Sequence, residues 1–239
     1  MDILAINASP HKGRGDTHLI LKPFLKGAED AGAKTETVFL YEKKIGFCIG
    51  CLSCAFKTPG VCALQDDMTI LMDKVRATDI LVIASPLYLD GLTAMCKAFI
   101  DRLAPLLSYE LAIRDGHCRH LYSGKHCSKL FLIASCGFYE LDNFESMIDH
   151  IKKVCANLNM EYLGNLLRPA AHLMRDAESF GEKVKQIIDS AYTGGKEIAE
   201  KGKVSLYLMD KVSAPFTDKQ DFIHRSNSYS NKIVERMLR

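Results

Sequence analysis

Short apolar runs alternate with stretches of helical periodicity along most of the chain. A continuous apolar run is typical of a parallel strand covered on both faces, and apolar residues three or four positions apart are typical of a helix. These patterns predict five strands, at residues 3–6, 35–40, 80–84, 129–134 and 162–167. Their alternation with helices predicts an α/β fold with a doubly wound, five-stranded parallel sheet.

The predicted helices lie between the strands and after the last one. The first begins near Asp16 or Thr17 and ends at Gly32, and we expect Pro23 to bend it because proline removes a backbone donor. The others are predicted near residues 67–76, 92–107, 143–157 and 179–201. Residues 108–126 are expected to form a loose connection. We therefore expect one domain over residues 1–202 and a C-terminal extension over residues 203–239.

Composition places the chain among ordinary globular proteins. It has 239 residues, of which 48% are hydrophobic and 25% charged. The net charge of +2 gives no strong general attraction to nucleic acid or to an anionic membrane. The sequence shows neither an apolar run of about 18 residues, which would predict a membrane span, nor a secretory signal pattern at its N-terminus. We therefore expect a cytoplasmic protein with no nucleic-acid or membrane partner.

The loop after the first predicted strand is the first candidate for ligand binding. In an open parallel sheet, ligands bind at the carboxyl ends of the strands, near the switch in winding direction. This loop combines hydroxyl, basic and glycine residues ahead of a helix N-terminus, whose free amides suit a phosphate group. It matches neither the Walker loop nor the dinucleotide fingerprint. The residue pattern alone leaves open a phosphate site or an ordinary connecting loop.

Two segments of this loop resemble a known family. Ser9-Pro10 followed by a basic residue, and then Gly15-Asp16-Thr17, resemble the FMN phosphate loop of NAD(P)H-dependent FMN reductase-like proteins of the flavodoxin-like fold. Two residues depart from the pattern, since His11 replaces the usual arginine and Asp16 the usual asparagine. The resemblance covers residues 2 to about 170 and implies FMN binding by Ser9, His11, Gly15, Asp16 and Thr17. Asp16 is expected to contribute its amide or to cap the helix.

Two further loops also follow predicted strands. A flavin ring needs an apolar wall and nearby backbone amides, which the loop after the third strand offers. By itself that loop would be a turn with a surface tyrosine. The resemblance implies that this loop holds the flavin ring and that the loop after the fourth strand contacts its polar edge. The implied residues are Pro86, Leu87, Tyr88, Leu89, Ser135, Cys136 and Gly137. Lys97, Asp101 and Arg102, on the helix that follows, are expected to form an ion-paired face or a subunit contact.

Four of the nine cysteines fall within one short segment, which predicts metal or redox chemistry in a reducing compartment. Cys48, Cys51, Cys54 and Cys62 form a C-x2-C-x2-C-x7-C pattern that resembles the cysteine motif of iron–sulfur flavoproteins. The resemblance implies a 4Fe–4S cluster beside FMN. Four thiolates also suit zinc, and free or redox-active thiols are a further alternative. The histidines and cysteines of residues 117–127 fit no standard metal spacing and predict a solvated loop.

The resemblance implies an FMN-dependent oxidoreductase that transfers electrons. NAD(P)H is a candidate donor, and the other donors and acceptors would be small molecules or redox proteins. An NAD(P)H-dependent FMN or quinone reductase without a cluster is one alternative, and a non-catalytic flavodoxin-like binding protein is another. Because the flavin carries out the chemistry, no catalytic side chain is predicted. The apolar residues of the extension predict a homodimer or homotetramer with FMN near the interface.

Overall fold

The computed structural model describes residues 1–122 and 127–237. Its strands are β1 (Asp2–Asn7), β2 (Lys34–Phe39), β3 (Ile80–Pro86), β4 (Leu107–Arg114), β5 (His117–Tyr122), β6 (Lys129–Ser135) and β7 (Glu161–Arg168). Its helices are α1 (Asp16–Asp30), α2 (Ser53–Phe56), α3 (Met68–Ala77), α4 (Ala94–Asp101), α5 (Glu145–Leu158), α6 (Ala177–Lys201), α7 (Leu206–Ser213) and α8 (Lys219–Met237). Within the described residues, no helix is both long and apolar enough to cross a membrane.

The predicted five-stranded parallel sheet is confirmed. Its strand order is β2-β1-β3-β6-β7, which is flavodoxin-like and places the switch in winding direction between β1 and β3. One apolar cluster lies on each face of the sheet, so a central strand is buried on both sides. This explains the continuous apolar run Ile80–Ala84, whose residues point alternately into the two clusters.

The chain after α4 differs from the sequence prediction. The predicted helix at residues 92–107 is shorter, because α4 ends at Asp101 and Pro105 lies in a separate single helical turn. The expected loose connection contains the antiparallel pair β4 and β5. Their two-residue turn consists of Asp115 and Gly116, both with positive φ, which is the turn that best matches the twist of a hairpin. The Asp-Gly pair is the signal in the sequence that indicates this hairpin.

Helix α1 is held against α6 by close backbone packing. A methyl group on Gly27 would lie 1.9 Å from the Tyr192 carbonyl oxygen, and one on Gly195 would lie 1.8 Å from the Phe24 carbonyl oxygen. Only glycine permits this approach at either position. The helix starts after Gly15 and runs to Asp30 with Pro23 inside it. Its N-terminus is thereby fixed at the carboxyl edge of the sheet.

Residues beyond 202 pack on the same domain. Apolar residues of this segment join the cluster that covers one face of the sheet: Val204, Leu208, Val212, Phe216 and Phe222. Leu206 and Tyr207, in contrast, are exposed. Arg168 at the end of β7 also holds the segment, since its Nη1 donates to the carbonyl oxygens of Val212 and Ala214 at 2.6 and 2.8 Å. The extension therefore contributes to the core of its own chain.

Candidate cofactor site

The three loops that the sequence singles out meet at the carboxyl edge of the sheet. The amide of Ala8 donates to the Ala84 carbonyl oxygen at 2.8 Å, and that of Leu87 donates to the Ser135 carbonyl oxygen at 2.8 Å. The hydroxyl oxygens of Thr17 and Ser135 lie 2.7 Å apart in a buried hydrogen bond. These contacts follow from the order of β1, β3 and β6, which are neighbours in the sheet. The structure thus joins the three loops into one candidate site.

The first loop is shaped by its own side chains. The Asn7 carboxamide oxygen accepts a hydrogen bond from the Ser9 amide at 2.9 Å, and the Ser9 hydroxyl accepts one from the His11 amide at 3.2 Å. Asn7 and Ser9 are buried, whereas His11 is exposed. A methyl group on Gly15 would lie 2.4 Å from the Ser9 hydroxyl oxygen. A larger residue at position 15 would therefore displace Ser9.

The first turn of α1 offers backbone donors to a ligand. Gly15 is the N-cap residue and provides no side-chain cap, and the first amides of a helix have no partner within the helix. The Asp16 carboxylate accepts a hydrogen bond from Arg175 Nε at 2.7 Å, so its charge is paired. The partial positive charge of a helix N-terminus stabilises an anion at this position. Thr17 is buried directly beneath it, against Ser135.

The second loop ends in a tight, exposed turn. The amides and carbonyl groups of Tyr88 and Gly91 form two reciprocal hydrogen bonds of 3.0 and 3.1 Å, and Leu89 and Asp90 between them both have positive φ. Leu87 is buried, Pro86 is half-buried, and the side chains of Tyr88 and Leu89 are exposed to solvent. Partial shielding from solvent raises the pKa of the Tyr88 phenol, with smaller contributions from nearby Tyr41 and Asp16. The turn thus presents an aromatic and an aliphatic side chain near the first loop.

The third loop is anchored on both sides. The Cys136 amide donates to the Arg168 carbonyl oxygen at 3.0 Å, and the Cys136 carbonyl accepts from the Ala171 amide at 2.9 Å. The Cys136 thiol is buried and donates to the Phe138 carbonyl oxygen at 3.4 Å. Burial raises the pKa of this thiol, so it is held in its neutral form. Gly137 is exposed, and a methyl group there would meet no atom within 4 Å.

The cysteine segment lies between β2 and α3. Its four thiol-bearing residues line one small pocket: Cys48, Cys51, Cys54 and Cys62. Gly50 and Leu52 both have positive φ, so the backbone changes direction on each side of Cys51. Burial raises the pKa of the Cys54 thiol, and the other three sulfurs contribute to the increase. Across residues 1–122 and 127–237, no three His, Cys, Asp or Glu side chains are already gathered in a metal-binding arrangement.

Arg102 forms part of the wall of the same pocket. Its guanidinium makes a two-point contact with the Asp66 carboxylate, Nη1 to Oδ2 at 2.8 Å and Nη2 to Oδ1 at 3.0 Å. The sequence predicts that Arg102 shares an ion-paired helix face or a subunit contact with Lys97 and Asp101. Lys97 and Asp101 do form an exposed ion pair of 2.6 Å, but the chain turns at the end of α4 and carries Arg102 inward.

Among the described histidines and cysteines of residues 117–127, His117, Cys118 and His120 are solvent-exposed as expected but lie on a strand rather than in a loop. His117–Tyr122 is the strand β5, and Cys118 on it is exposed. Cys127 is buried, and its thiol donates to the Lys129 carbonyl oxygen at 3.1 Å. His126 lies outside the described residues. The described members of the set therefore fall in different environments.

The sequence also matches a protein-family model. The model for NADPH-dependent FMN reductase covers residues 1–165, which include all three loops and the cysteine segment. The chain belongs to the NADPH-dependent FMN reductase family.

Proteins with similar sequences include several iron–sulfur flavoproteins. One from Archaeoglobus fulgidus is 35% identical over 137 residues, which are 57% of this chain and 56% of that protein. One from Methanocaldococcus jannaschii is 33% identical over 117 residues, which are 48% of this chain and 59% of that protein. The matches thus span little more than half the length of these relatives.

Solved structures with a similar fold include a quinone oxidoreductase and an azoreductase. An NAD(P)H:quinone oxidoreductase from Methanothermobacter marburgensis has a TM-score of 0.61 at 16% identity, covering 83% of this chain and 96% of that one. An FMN-dependent NADH-azoreductase from Bacillus anthracis has a TM-score of 0.58 at 16% identity, covering 84% and 98%. At this identity, the likeness shows only that the chain has a flavodoxin-like fold.

Several residues that shape this FMN reductase-family site escaped the sequence analysis. Asn7 ends β1, where an asparagine after an apolar run could have been noticed as a loop-shaping residue. Thr93 donates its hydroxyl hydrogen to the Ala8 carbonyl oxygen at 2.9 Å and so fixes the start of α4 beside the first loop. Arg175 pairs with Asp16 across 159 positions, a contact that no local pattern signals.

Proposed function

We propose that this protein is an FMN-dependent oxidoreductase that transfers electrons between the flavin and a 4Fe–4S cluster. The observation that carries the proposal is the placement of two sites at the two ends of one short helix. Thr93, directly before α4, donates to Ala8 of the first loop and to Ser85 at the start of the second, and the third loop joins them through Ser135. A pocket lined by four cysteines lies at the end of the same helix. The helix has 8 residues and therefore spans about 12 Å.

The residues of the three loops fit FMN. The amides of Asp16 and Thr17, with Ser9 and His11 nearby, would hold the phosphate, and Gly15 leaves room for the Ser9 hydroxyl. The segment Pro86 to Leu89 would provide the apolar wall for the ring. Ser135, Cys136 and Gly137 would face its polar edge. FMN supplies the redox chemistry when bound, so the protein has only to position it and exclude competing reactions.

The donor set of the cysteine segment fits an iron–sulfur cluster. Cys48, Cys51, Cys54 and Cys62 border a single pocket, and thiolates are the ligands that such clusters require. The pocket wall contributes a buried cation, Arg102, which suits a group of net negative charge. The similarity to iron–sulfur flavoproteins supports the same assignment.

Anaerobic purification followed by cofactor analysis tests this proposal. We expect flavin absorbance together with iron and acid-labile sulfide in equal amounts. Cys51→Ala should lose the iron and keep FMN, because the two sites use separate segments. The matched control is Cys118→Ala, an exposed cysteine on β5 outside the pocket, which should keep both cofactors. Protein that carries FMN but takes up no iron after reconstitution would contradict the cluster.

An NAD(P)H-dependent FMN or quinone reductase without a cluster is the second candidate. It is favoured by the match of residues 1–165 to the family model for NADPH-dependent FMN reductase. Its test is steady oxidation of NADPH with an added quinone by protein shown to contain no iron. Activity that depends on the presence of iron would favour the first proposal instead.

We also infer that residues 1–202 form the FMN domain, with residues 203–239 as an added segment, and that the protein works as a homodimer or homotetramer. Exposed apolar side chains support this, among them Leu206 and Tyr207 on α7 and Ile113 on β4. Light scattering at micromolar concentration tests the oligomeric state. A fully FMN-loaded monomer would contradict it.

A further inference from the structure

Arg102 is one of the most deeply buried charged side chains described, with 1% of its surface exposed. Such a charge is stable only when it is paired and hydrogen-bonded. Its Nη1 donates to Asp66 and to the Gly46 carbonyl oxygen, both at 2.8 Å, and its Nη2 donates to Asp66 at 3.0 Å and to the Leu64 carbonyl oxygen at 3.3 Å. These contacts fix the guanidinium between the two ends of the cysteine segment.

One donor of this guanidinium has no acceptor. Arg102 Nε is buried and has no hydrogen-bond partner in the described structure. A buried donor without an acceptor is costly and calls for an explanation, such as a group that the site is built to receive. The Asp66 carboxylate already uses both of its oxygens on Nη1 and Nη2. The acceptor for Nε must therefore come from elsewhere.

The pocket beside Arg102 holds the acceptors. All four cysteines of the segment line it together with Arg102. Cys62 is close along the chain to the contacts of Arg102, because the Leu64 carbonyl oxygen, two residues further on, accepts from Arg102 Nη2 at 3.3 Å. A cluster with four thiolate ligands carries net negative charge, which increases when an electron is added.

We propose that Arg102 donates its Nε hydrogen to the sulfur of Cys62 as a cluster ligand and thereby raises the reduction potential of the cluster. This inference rests on the proposed cluster. A hydrogen bond to a ligand sulfur and a nearby cation both stabilise the reduced, more negative form. Asp66 has the role of a positioning residue, because its carboxylate fixes the guanidinium plane.

The test compares potentials in variants that keep the fold. Arg102→Lys keeps a positive charge and removes the Nε donor and the planar fork. We expect Arg102→Lys to bind FMN and iron as the parent protein does. Its equilibrium constant for one-electron reduction of the cluster should fall at least about tenfold, a shift of ~59 mV to more negative potential. The matched control is Lys97→Met, which removes an exposed cation from the same helix and should leave the potential unchanged.

Redox titration followed by electron paramagnetic resonance of the reduced cluster gives the potential, and flavin absorbance shows that FMN is retained. If Arg102→Lys does not fold, the paired variant Asp66→Asn with Arg102→Met removes both charges together and should show the same negative shift. An unchanged potential in a folded, iron-loaded variant would overturn the role of Arg102 and leave the cluster in place. Loss of iron from a variant that keeps FMN would also overturn it, because Arg102 would then hold the cluster rather than tune it. A parent protein without iron would instead overturn the proposed function.

Discussion

The hydroxyl oxygens of Thr17 and Ser135 lie 2.7 Å apart although the two residues are 118 positions apart in the chain. Their hydrogen bond joins the start of α1 to the end of β6 and is fully buried. Because one residue belongs to the candidate phosphate loop and the other to the candidate ring-edge loop, the bond makes the two loops a single unit. Loss of either hydroxyl breaks the bond, so either loss should weaken FMN binding and the two losses should not be additive.

Removing either partner tests this coupling. We expect Thr17→Val and Ser135→Ala each to destabilise the FMN complex by about 1–3 kcal/mol, since each leaves a buried hydroxyl without its partner. The double variant should cost less than the sum of the two, which a double-mutant cycle on FMN affinity measures. Thr193→Val on the exposed face of α6 is the control and should leave affinity unchanged. Simple additivity would show that the loops bind FMN independently.

A methyl group at position 15 should disrupt the phosphate loop. The Gly15→Ala side chain would lie 2.4 Å from the Ser9 hydroxyl oxygen, which is buried and cannot move freely. We expect FMN affinity to fall about 10- to 100-fold, as for the loss of one hydrogen bond to a charged group. Gly181→Ala on α6 is a matched control, because its methyl group meets open space and the residue has no part in the candidate site. Fluorescence titration with FMN measures both, and equal effects would contradict the steric argument.

Leu89 should lower the stability of the folded protein while its side chain contributes to FMN binding. Leu89 has a φ of 45° and a fully exposed side chain, a combination that is unfavourable for leucine. Leu89→Gly should therefore raise the free energy of unfolding by about 1 kcal/mol. If the side chain covers the flavin ring, FMN affinity should fall at the same time. Asp115→Gly relieves a similar φ of 52° in the hairpin and should leave FMN affinity unchanged.

The sheet could be predicted from the sequence because each buried strand appears as a short local run of apolar residues. The run Ile80–Ala84 is apolar at every position since both faces of β3 are covered. The hairpin of β4 and β5 was missed because apolar residues such as Leu111 and Ile113 lie exposed on it and leave no core-facing pattern. Its Asp115-Gly116 turn was the available signal.

The candidate site was predictable only where it follows strand ends. The three loops could be located from the sequence, since the carboxyl ends of parallel strands meet at one edge. The inward position of Arg102 could not be predicted from the sequence. It depends on the end of α4 at Asp101, directly before Arg102, and on the carboxylate of Asp66, which is distant in the chain. The ion pair between Asp16 and Arg175 also depends on tertiary packing. It offsets the negative charge of Asp16, which would otherwise repel a phosphate at the candidate phosphate loop.

Arg168 should be needed to hold the C-terminal extension. Its side chain is buried, donates to three backbone carbonyl groups and lies 4.6 Å from the ring centre of Phe216. Arg168→Met fills similar space but leaves those carbonyls without donors, at about 1–3 kcal/mol for each one. We expect a lower midpoint in urea and faster proteolysis after residue 202. Lys211→Met, an exposed change on α7, should alter neither.

Acid should loosen the cysteine segment through Asp66. Burial alone would raise the pKa of this carboxyl group, but hydrogen bonds from Arg102 and from the amides of Gly46 and Met68 outweigh burial and lower it. A carboxyl group whose pKa is lower in the folded state contributes stability above its unfolded pKa of about 3.9, and this contribution is lost as pH falls through the folded pKa. Stability should therefore decline below about pH 4. Asp66→Asn should be less stable at neutral pH and should show a smaller further loss in acid. Equal acid dependence in the two proteins, measured by urea unfolding from pH 7 downward, would show that other carboxyl groups govern the transition.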